Sequence, residues 1–170
     1  MRDTFVAALK SEAELNRKIL LMVGDLGFGV VDSFAEAMPD QFLNAGISEQ
    51  NMMGMAAGLA DSGHLPFVYS IANFPTFRCL EQIRNDVVYH ALPVTIVSIG
   101  AGMGYGTLGY SHFGIEDFSI LSAMPGLRII SPSDPTEVKA ALREILRSPM
   151  PTYLRLGKNG EENIHSEDVE

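Results

Sequence analysis

The chain has few positive charges, a single cysteine and no long apolar run. Its 12 Lys and Arg residues against 21 Asp and Glu residues give a formal charge of −9, so it lacks the basic surface that attracts nucleic acids and anionic membranes. The lone Cys79 excludes an internal disulfide and favours a reducing compartment. No apolar stretch approaches the ~20 residues of a membrane helix, and the first residues form no signal-like segment. We therefore expect a soluble, cytoplasmic protein that binds neither nucleic acid nor membrane.

The apolar content is sufficient for one folded domain. The 170 residues are 46% hydrophobic and 19% charged, whereas a disordered chain would be poorer in apolar residues. Single domains usually contain ~100–200 residues, so one core is expected. We predict one domain over residues 1–156, followed by an acidic tail, residues 157–170, that is flexible or serves as a linker.

Short apolar runs alternate with helical patterns along the chain. Amphipathic spacing predicts helices over residues 2–17 and after the capping sequence Asp134-Pro135-Thr136-Glu137. The apolar runs are typical of buried strands and lie at residues 19–23, 67–69, 94–98, 127–131 and 152–154. Strands that alternate with helices predict an α/β fold with a mainly parallel sheet.

A glycine-rich loop follows the predicted strand at residues 94–98. Residues 104–109, GYGTLG, satisfy the G-x-G-x-x-G pattern of dinucleotide-binding domains, and Asp134 is a candidate for the acid that holds the ribose. That motif should open a helix at once, whereas residues 110–114, YSHFG, break any helical pattern. An NAD-dependent oxidoreductase is therefore kept as an alternative, which an NADH titration would test.

Glu49 begins a predicted helix of unusually small residues. Gly54 and Gly58 lie in this helix, residues 49–60, among several alanines, and glycine costs roughly 1 kcal/mol there relative to alanine. Their presence predicts that another helix or a partner chain approaches closely. A glutamate at a helix start often serves only the helix dipole, for ~0.3–1 kcal/mol. If the approaching surface covers Glu49, its desolvated carboxyl group can keep a proton and act as a general acid.

Asp25 and His112 also occupy positions where ligands bind. Asp25 follows the first predicted strand, at the carboxyl end where parallel sheets bind ligands, although it would equally suit the cap of the next helix. His112 lies in the glycine-rich loop, four residues before Glu116, and a loop histidine is a candidate for proton transfer. The other three histidines, His64, His90 and His165, are expected at the surface. No spacing of His, Cys, Asp and Glu residues predicts a metal site.

Four ordered blocks resemble the pyrimidine-binding domain of the transketolase family of thiamine diphosphate enzymes. They are NAGISEQN at 44–51, YSIANFPTF at 69–77, His112-x-x-x-Glu116-Asp117, and PGLRIISPSD at 125–134. The resemblance extends from about residue 5 to residue 156. It implies a three-layer α/β sandwich with a six-stranded, mainly parallel sheet, the pyrimidine module of the thiamine diphosphate-binding fold. The same domain occurs in 1-deoxyxylulose-5-phosphate synthases and in the β subunits of 2-oxoacid dehydrogenases, which remain alternatives.

The resemblance assigns a role in cofactor binding to four residues. Glu49 matches the glutamate that hydrogen-bonds N1′ of the cofactor's aminopyrimidine and thereby helps to activate the thiazolium carbon. Phe74, with Phe77 as its neighbour, matches the aromatic region whose ring stacks on the pyrimidine, for which an aromatic face is suited. Asp25 matches an acid near the cofactor after the first strand.

The resemblance also assigns substrate contacts, with departures. His112 matches a histidine that points into the substrate channel, and Arg155 lies where transketolases have an arginine for a sugar phosphate. However, Leu108 stands where transketolases have an aspartate that contacts a donor hydroxyl, and a second histidine expected after residues 94–98 is missing. The preference for ordinary pentose phosphates is therefore open.

The resemblance implies that this chain is half of an active site. The family binds diphosphate and Mg²⁺ through Gly-Asp-Gly and a later Asn in a separate domain, and the sequence GDL at 24–26 with Asn44 does not satisfy that motif. We therefore expect a diphosphate-binding subunit or domain to share thiamine diphosphate and to hold the Mg²⁺. The implied reaction is transfer of a two-carbon ketol unit between sugars by a homodimeric enzyme, with little activity from this chain alone. A non-catalytic binding module is the remaining alternative.

Overall fold

A computed structural model, which describes residues 1–166, contains one six-stranded sheet in the order β2-β1-β3-β4-β6-β5. Every neighbouring pair of strands is parallel. The strands are β1 (Ile19–Val23), β2 (Phe42–Asn44), β3 (Leu65–Ile71), β4 (Thr95–Ile99), β5 (Arg128–Ile130) and β6 (Thr152–Leu156). The predicted α/β fold with a six-stranded parallel sheet is confirmed.

Helices cover both faces of the sheet. They are α1 (Arg2–Leu15), α2 (Asp32–Ala37), α3 (Glu49–Asp61), α4 (Leu80–Gln82), α5 (Asp117–Leu121) and α6 (Pro135–Arg147), and a π-helix (Ile83–Val88) continues α4. One buried cluster joins the sheet to α1 and α6, and a second joins its other face to α3 and the π-helix. Leu21 and Val23 belong to the first cluster and Met22 to the second, as expected for a strand whose side chains alternate between faces.

The sequence patterns located most elements closely. The first helix ends at Leu15 instead of residue 17, and the five apolar runs all contain observed strands. The predicted cap of α6 is confirmed, because the Asp134 side chain accepts a hydrogen bond of 2.8 Å from the backbone N–H of Glu137. Strand β2 gave no signal in the sequence, because Phe42 and Leu43 are followed by Asn44 and form no apolar run.

Residues 157–166 contain no helix or strand, but they contact the domain. The backbone N–H groups of Ile164 and His165 donate hydrogen bonds of 2.8 and 2.7 Å to Oδ2 of Asp134. The amino group of Met1 lies 2.9 Å from the Glu161 carboxylate. The domain boundary at residue 156 stays a prediction, and residues 167–170 lie outside the described part of the chain.

Within residues 1–166, every helix is too short or too polar to cross a lipid bilayer. Because all six strands are parallel, their carboxyl ends meet at one edge of the sheet. The segments that follow β1, β3 and β4 contain Asp25, Phe74 and His112, respectively. The fold therefore places three of the predicted site residues at the edge where parallel sheets bind ligands.

Candidate active site

Glu49 is buried at the first position of α3. Its side chain is 3% exposed, and it packs against Gly24 at the end of β1. A Cβ atom at Gly24 would lie 3.3 Å from the carbonyl oxygen of Gly46 and 3.6 Å from Cγ of Glu49, so a larger residue there would push the helix start away. The sequence predicted that an approaching second surface would cover Glu49, whereas the chain's own residues already do so.

Arg78 is the partner of Glu49, and sequence reasoning missed it. Its Nη1 atom lies 2.6 Å from Oε2 of Glu49, and its guanidinium carbon lies 4.7 Å from the centre of the Phe74 ring. The Arg78 side chain is 46% exposed, so the pair is open to water on one side. Glu49 is therefore half of an ion pair in this structure, not the lone acid that the sequence predicted.

Phe74 lies at the centre of the site. Its ring contacts the His112 ring edge-on, with centroids 5.1 Å apart, while the guanidinium of Arg78 covers it. Phe77 makes no ring or cation contact with any residue in the described range. Of the two predicted aromatic residues, Phe74 is the one that joins Glu49, Arg78 and His112 into one cluster, which we call the Glu49 site.

His112 is half-buried, and one of its ring nitrogens already has a partner. Nδ1 lies 2.9 Å from the Ser111 hydroxyl, which leaves Nε2 for a ligand. Glu116, which the spacing suggested as a partner, accepts a hydrogen bond of 2.5 Å from the Tyr110 hydroxyl. That bond raises the pKa of Tyr110. His112 is thus oriented by Ser111 and not by Glu116.

Asp25 lies at the carboxyl end of β1, but it caps no helix. Helix α2 begins at Asp32, so the capping interpretation is wrong. Asp25 is exposed with φ of 56°, a conformation that Asp and Asn tolerate better than most residues. Its backbone N–H donates to Oδ1 of Asn44 at 3.0 Å, and Nδ2 of Asn44 donates back to Oδ1 of Asp25 at 3.3 Å. Among the described residues it shares no hydrogen bond or ion pair with the Glu49 site.

Arg155 is engaged within the protein. Its Nε donates to Oδ2 of Asp117 at 2.7 Å, and its Nη2 donates to the carbonyl oxygen of Gly114 at 2.7 Å. The side chain is 17% exposed. The substrate role that the resemblance gives to Arg155 stays a prediction, and the arginine would have to keep or leave these two partners to fulfil it.

A small cavity at the same edge of the sheet was not predicted. It measures about 210 Å³, and its lining includes Arg2, Tyr69, Ser70 and Tyr105. The Ser70 hydroxyl is buried without a hydrogen-bond partner among the described residues, and burial raises the pKa of Tyr69. A guanidinium beside neutral hydroxyl donors is suited to an anionic group. A larger cavity of about 680 Å³, which includes Arg84 and Met124 in its lining, contains none of the predicted site residues.

Cys79 lies beneath the site and is not a nucleophile. Burial raises the pKa of its thiol to about 12, and the charge of Glu49 acts in the same direction. The thiol is fully buried and donates to the carbonyl oxygen of Phe74 at 3.4 Å. A thiol that stays protonated is unreactive, so its role is to pack.

The glycine-rich loop lacks the helix that a dinucleotide site needs. After residues 104–109 the chain forms a 3₁₀ turn, Tyr110–His112, and the next α-helix begins only at Asp117. Asp134 is fully buried and accepts hydrogen bonds from Glu137, Ile164 and His165. The oxidoreductase alternative therefore loses both its helix N-terminus and its ribose-binding acid.

His165 is exposed, as the sequence predicted, but it has partners. Its Nδ1 lies 3.1 Å from Oδ2 of Asp134, and its Nε2 lies 3.9 Å from Glu137. Ligand atoms of these three residues lie within 4.8 Å of one another, a grouping that their spacing in sequence did not indicate. Burial opposes ionisation of Asp134, but the hydrogen bonds it accepts hold its pKa below the usual range. The Asp134 oxygens thus already accept hydrogen bonds from the start of α6 and from the backbone of Ile164 and His165.

The small-residue face of α3 has no neighbour within the described chain. A Cβ atom at Gly54 or Gly58 would meet nothing within 4 Å, whereas Met52, Ala56 and Ala60 face the core. Close packing by another helix of this chain is therefore excluded for residues 1–166. Packing by a partner chain, the other possibility that the sequence left open, remains a prediction.

The fold and the site together define an α/β domain with a candidate ligand site at the carboxyl edge of its parallel sheet. The family model described as "Transketolase, pyrimidine binding domain" matches residues 1–160. The chain belongs to this family. The resemblance seen in the four sequence blocks is confirmed.

Individual relatives agree with the family match. The chain is 32% identical to a subunit of the apulose-4-phosphate transketolase of Phocaeicola vulgatus, over 98% of this chain and 54% of the relative. It is 38% identical to the 1-deoxy-D-xylulose-5-phosphate synthase of Mycobacterium tuberculosis, over 91% of this chain and 24% of that enzyme. A solved "Split gene transketolase, inactive beta4 tetramer" superimposes with a TM-score of 0.88 at 34% identity, over 99% of this chain and 54% of that one. The chain thus spans about half the length of the transketolase relatives.

Proposed function

We propose that this chain is the pyrimidine-binding half of a thiamine diphosphate-dependent transketolase-like enzyme. The reaction is transfer of a two-carbon ketol unit between sugars. The proposal depends mainly on one observation: a flat N–H donor, the guanidinium of Arg78, makes both a hydrogen bond to the buried carboxylate of Glu49 and a face contact with the Phe74 ring.

The residues of the Glu49 site fit an aminopyrimidine. An aminopyrimidine that carries a proton on a ring nitrogen is also a flat group with N–H donors, and it needs an acceptor at its edge and an aromatic surface at its face. Arg78 already stands in for such a group at Glu49 and Phe74. Because the Arg78 side chain is 46% exposed, it can turn toward water when the pyrimidine binds.

Glu49 and Phe74 would hold the pyrimidine of thiamine diphosphate, and the bound cofactor would supply the nucleophilic carbon that ketol transfer requires. Glu49 would accept, at its buried carboxylate, a hydrogen bond from the protonated ring nitrogen of the pyrimidine and so help to activate the cofactor. His112, whose Nδ1 is paired with Ser111, moves a proton to or from a sugar hydroxyl at Nε2. Asp25, at the end of β1, contributes a further cofactor contact.

Arg2 is suited to an anionic group of the substrate because it lines the small cavity with Tyr69 and Tyr105.

The other half of the site comes from a diphosphate-binding chain or domain, which holds the diphosphate and its Mg²⁺. The chain has no Gly-Asp-Gly motif with a distant Asn, and the two transketolase relatives named above are about twice its length. We expect little turnover and weak cofactor binding from the 170 residues alone.

The outward face of α3 with Gly54 and Gly58 is the surface for self-association in a homodimer, because a partner backbone can approach it. The enzyme is expected in the cytosol, where a lone cysteine stays reduced.

One related activity has support of its own. A 1-deoxyxylulose-5-phosphate synthase would use the same cofactor site, and the identity of 38% to such an enzyme supports it as a second candidate. A 2-oxoacid dehydrogenase β-type module shares the fold, but no observation in this chain favours it. The two activities differ in the donor, so a sugar aldehyde supplied with either a ketose or pyruvate as the donor separates them.

The proposal is tested by Glu49→Gln in a complex reconstituted with a diphosphate-binding chain. Removing the carboxylate should lower turnover by about 100-fold or more, the range of a lost proton-transfer group. Glu36→Gln is the matched control, because Glu36 is exposed on α2; it should leave turnover unchanged. Unchanged turnover in Glu49→Gln would contradict the catalytic proposal and favour a non-catalytic module.

A further inference from the structure

The loop that contains His112 has little structure of its own. Between β4 and α5 it forms only two 3₁₀ turns, Gly106–Leu108 and Tyr110–His112. Its two ends are tied by paired backbone hydrogen bonds of 2.9 Å between Gly102 and Gly114. Because the loop contains many glycines, whose backbone freedom is large, holding His112 in one place requires further contacts.

Arg155 supplies such a contact from β6. One guanidinium joins Asp117, the first residue of α5, to the carbonyl oxygen of Gly114, the last residue of the loop's tied base, with both distances at 2.7 Å. We call this set of three residues, Arg155, Asp117 and Gly114, the Arg155 clamp. It fixes the end of the loop to the sheet two residues after His112.

Asp117 at the centre of the clamp is buried and bonded twice through one oxygen. Its side chain is 1% exposed, and Oδ2 accepts a second hydrogen bond of 2.6 Å from the Tyr153 hydroxyl. Burial and this bond raise the pKa of Tyr153, so its hydroxyl stays a donor. A buried ion pair adds little net stability compared with apolar side chains, whereas it imposes one geometry. The clamp is thus better suited to fixing a position than to stabilising the fold.

The clamped loop end also lies close to the segment that contains Phe74. A Cβ atom at Gly114 would lie 3.0 Å from Cβ of Ala72, and Phe74 follows Ala72 by two residues. Ala72 is itself held to the sheet, because its N–H donates to the carbonyl oxygen of Ile99 at 2.8 Å. The clamp therefore brings the two segments together at the point where His112 contacts Phe74.

We propose that Arg155 is a positioning residue, which acts through Gly114 to place His112 against Phe74, and that it is not a ligand of the substrate phosphate. The catalytic use of His112 in this proposal rests on the proposed function, whereas its placement by Arg155 does not. The contact between His112 and Phe74 can be measured without the partner chain, so failure of the clamp and failure of the proposed function are distinguishable.

Arg155→Lys tests the clamp. This change keeps a positive charge for Asp117 but has one side-chain nitrogen, so it cannot hold Asp117 and Gly114 as the guanidinium does. In the chain labelled with ¹³C-histidine, the NMR signal of the His112 ring, assigned with His112→Gln, should move away from its wild-type position, because the Phe74 ring no longer shifts it. The other three histidine signals should stay in place.

Arg128→Lys is the matched control. Arg128 is also a strand arginine and is 18% exposed, close to the 17% of Arg155, but it lies at the start of β5 and bonds Thr152. It should lower stability without moving the His112 signal. An unmoved His112 signal in Arg155→Lys, or an equal shift in both variants, would overturn the proposal.

The wild-type chain gives a second measurement that does not depend on a variant that folds. Inorganic phosphate should leave the NMR signal of the Arg155 Nε–H group unchanged up to millimolar concentrations. A saturable shift of that signal would identify Arg155 as an anion ligand and overturn the proposal.

Kinetics of the reconstituted complex distinguish a positioning role of Arg155 from a role as phosphate ligand. Arg155→Lys should lower kcat while the KM of a phosphate-bearing sugar stays within about twofold, because a misplaced His112 weakens proton transfer in the transition state and leaves binding of the phosphate unchanged. A large rise in KM with kcat unchanged would instead identify a phosphate ligand.

Discussion

Two arginine–carboxylate pairs lie near the carboxyl edge of the sheet, and they differ in their access to water. In the open pair Arg78 is 46% exposed and Glu49 is 3% exposed. In the closed pair Arg155 is 17% exposed and Asp117 is 1% exposed. Both pairs are short, at 2.6 and 2.7 Å, so their difference lies in the surroundings and not in the contact itself.

The surroundings decide what each pair can do. In the closed pair, Tyr153 donates to the acid and Gly114 accepts from the arginine, so neither charge can leave without becoming buried and unpaired. In the open pair, the exposed side of Arg78 leads us to expect that it turns to solvent and leaves the buried acid to accept a new flat donor. We therefore expect the arginine–carboxylate ion pair to be exchangeable at the Glu49 site and fixed at the Arg155 clamp.

The largest expected difference is in stability, when each acid is replaced by its amide. Asp117→Asn leaves Arg155 buried without a counter-charge and should lower the free energy of unfolding by about 3 kcal/mol. Glu49→Gln leaves an arginine that water can reach and should cost less than about 1 kcal/mol. Urea denaturation of both variants measures the two losses. Equal losses would contradict the distinction between a closed and an open pair.

A smaller effect is expected on cofactor affinity when the open pair is removed. Arg78→Met frees Glu49 and the Phe74 ring, so thiamine diphosphate should bind the reconstituted complex about fivefold more tightly, which corresponds to ~1 kcal/mol. Isothermal titration calorimetry measures this change. Arg84→Met is the control, because Arg84 bonds only its neighbour Asn85 in the described chain. Weaker binding to Arg78→Met would mean that Arg78 contacts the cofactor and does not compete with it.

The elements readable from the sequence are those that depend on nearby residues. The cap of α6 follows from Asp134 and Glu137, three positions apart, and its hydrogen bond is confirmed. Glu49 stood out because it begins a helix of small residues. Strand β2 was not predicted because its two apolar residues form no run, whereas the equally short β5 lies within the apolar run at residues 127–131.

Both ion pairs escaped sequence reasoning, because their partners are distant along the chain. Glu49 and Arg78 are 29 residues apart, and Asp117 and Arg155 are 38 residues apart, so only the folded sheet brings them together. The block at residues 69–77 contains both Phe74 and Phe77, and only the course of the backbone after β3 decides which ring joins the site. An arginine directly after that block was the one available signal for a counter-charge.

The most direct test is a structure of this chain with a diphosphate-binding partner and thiamine diphosphate. The quantity to measure is the distance from the Glu49 carboxylate to the nearest ring nitrogen of the pyrimidine. The account predicts about 2.7–3.2 Å, a hydrogen bond, with the pyrimidine over Phe74 and Arg78 turned toward solvent. A pyrimidine bound elsewhere, with the pair of Glu49 and Arg78 intact, would contradict it.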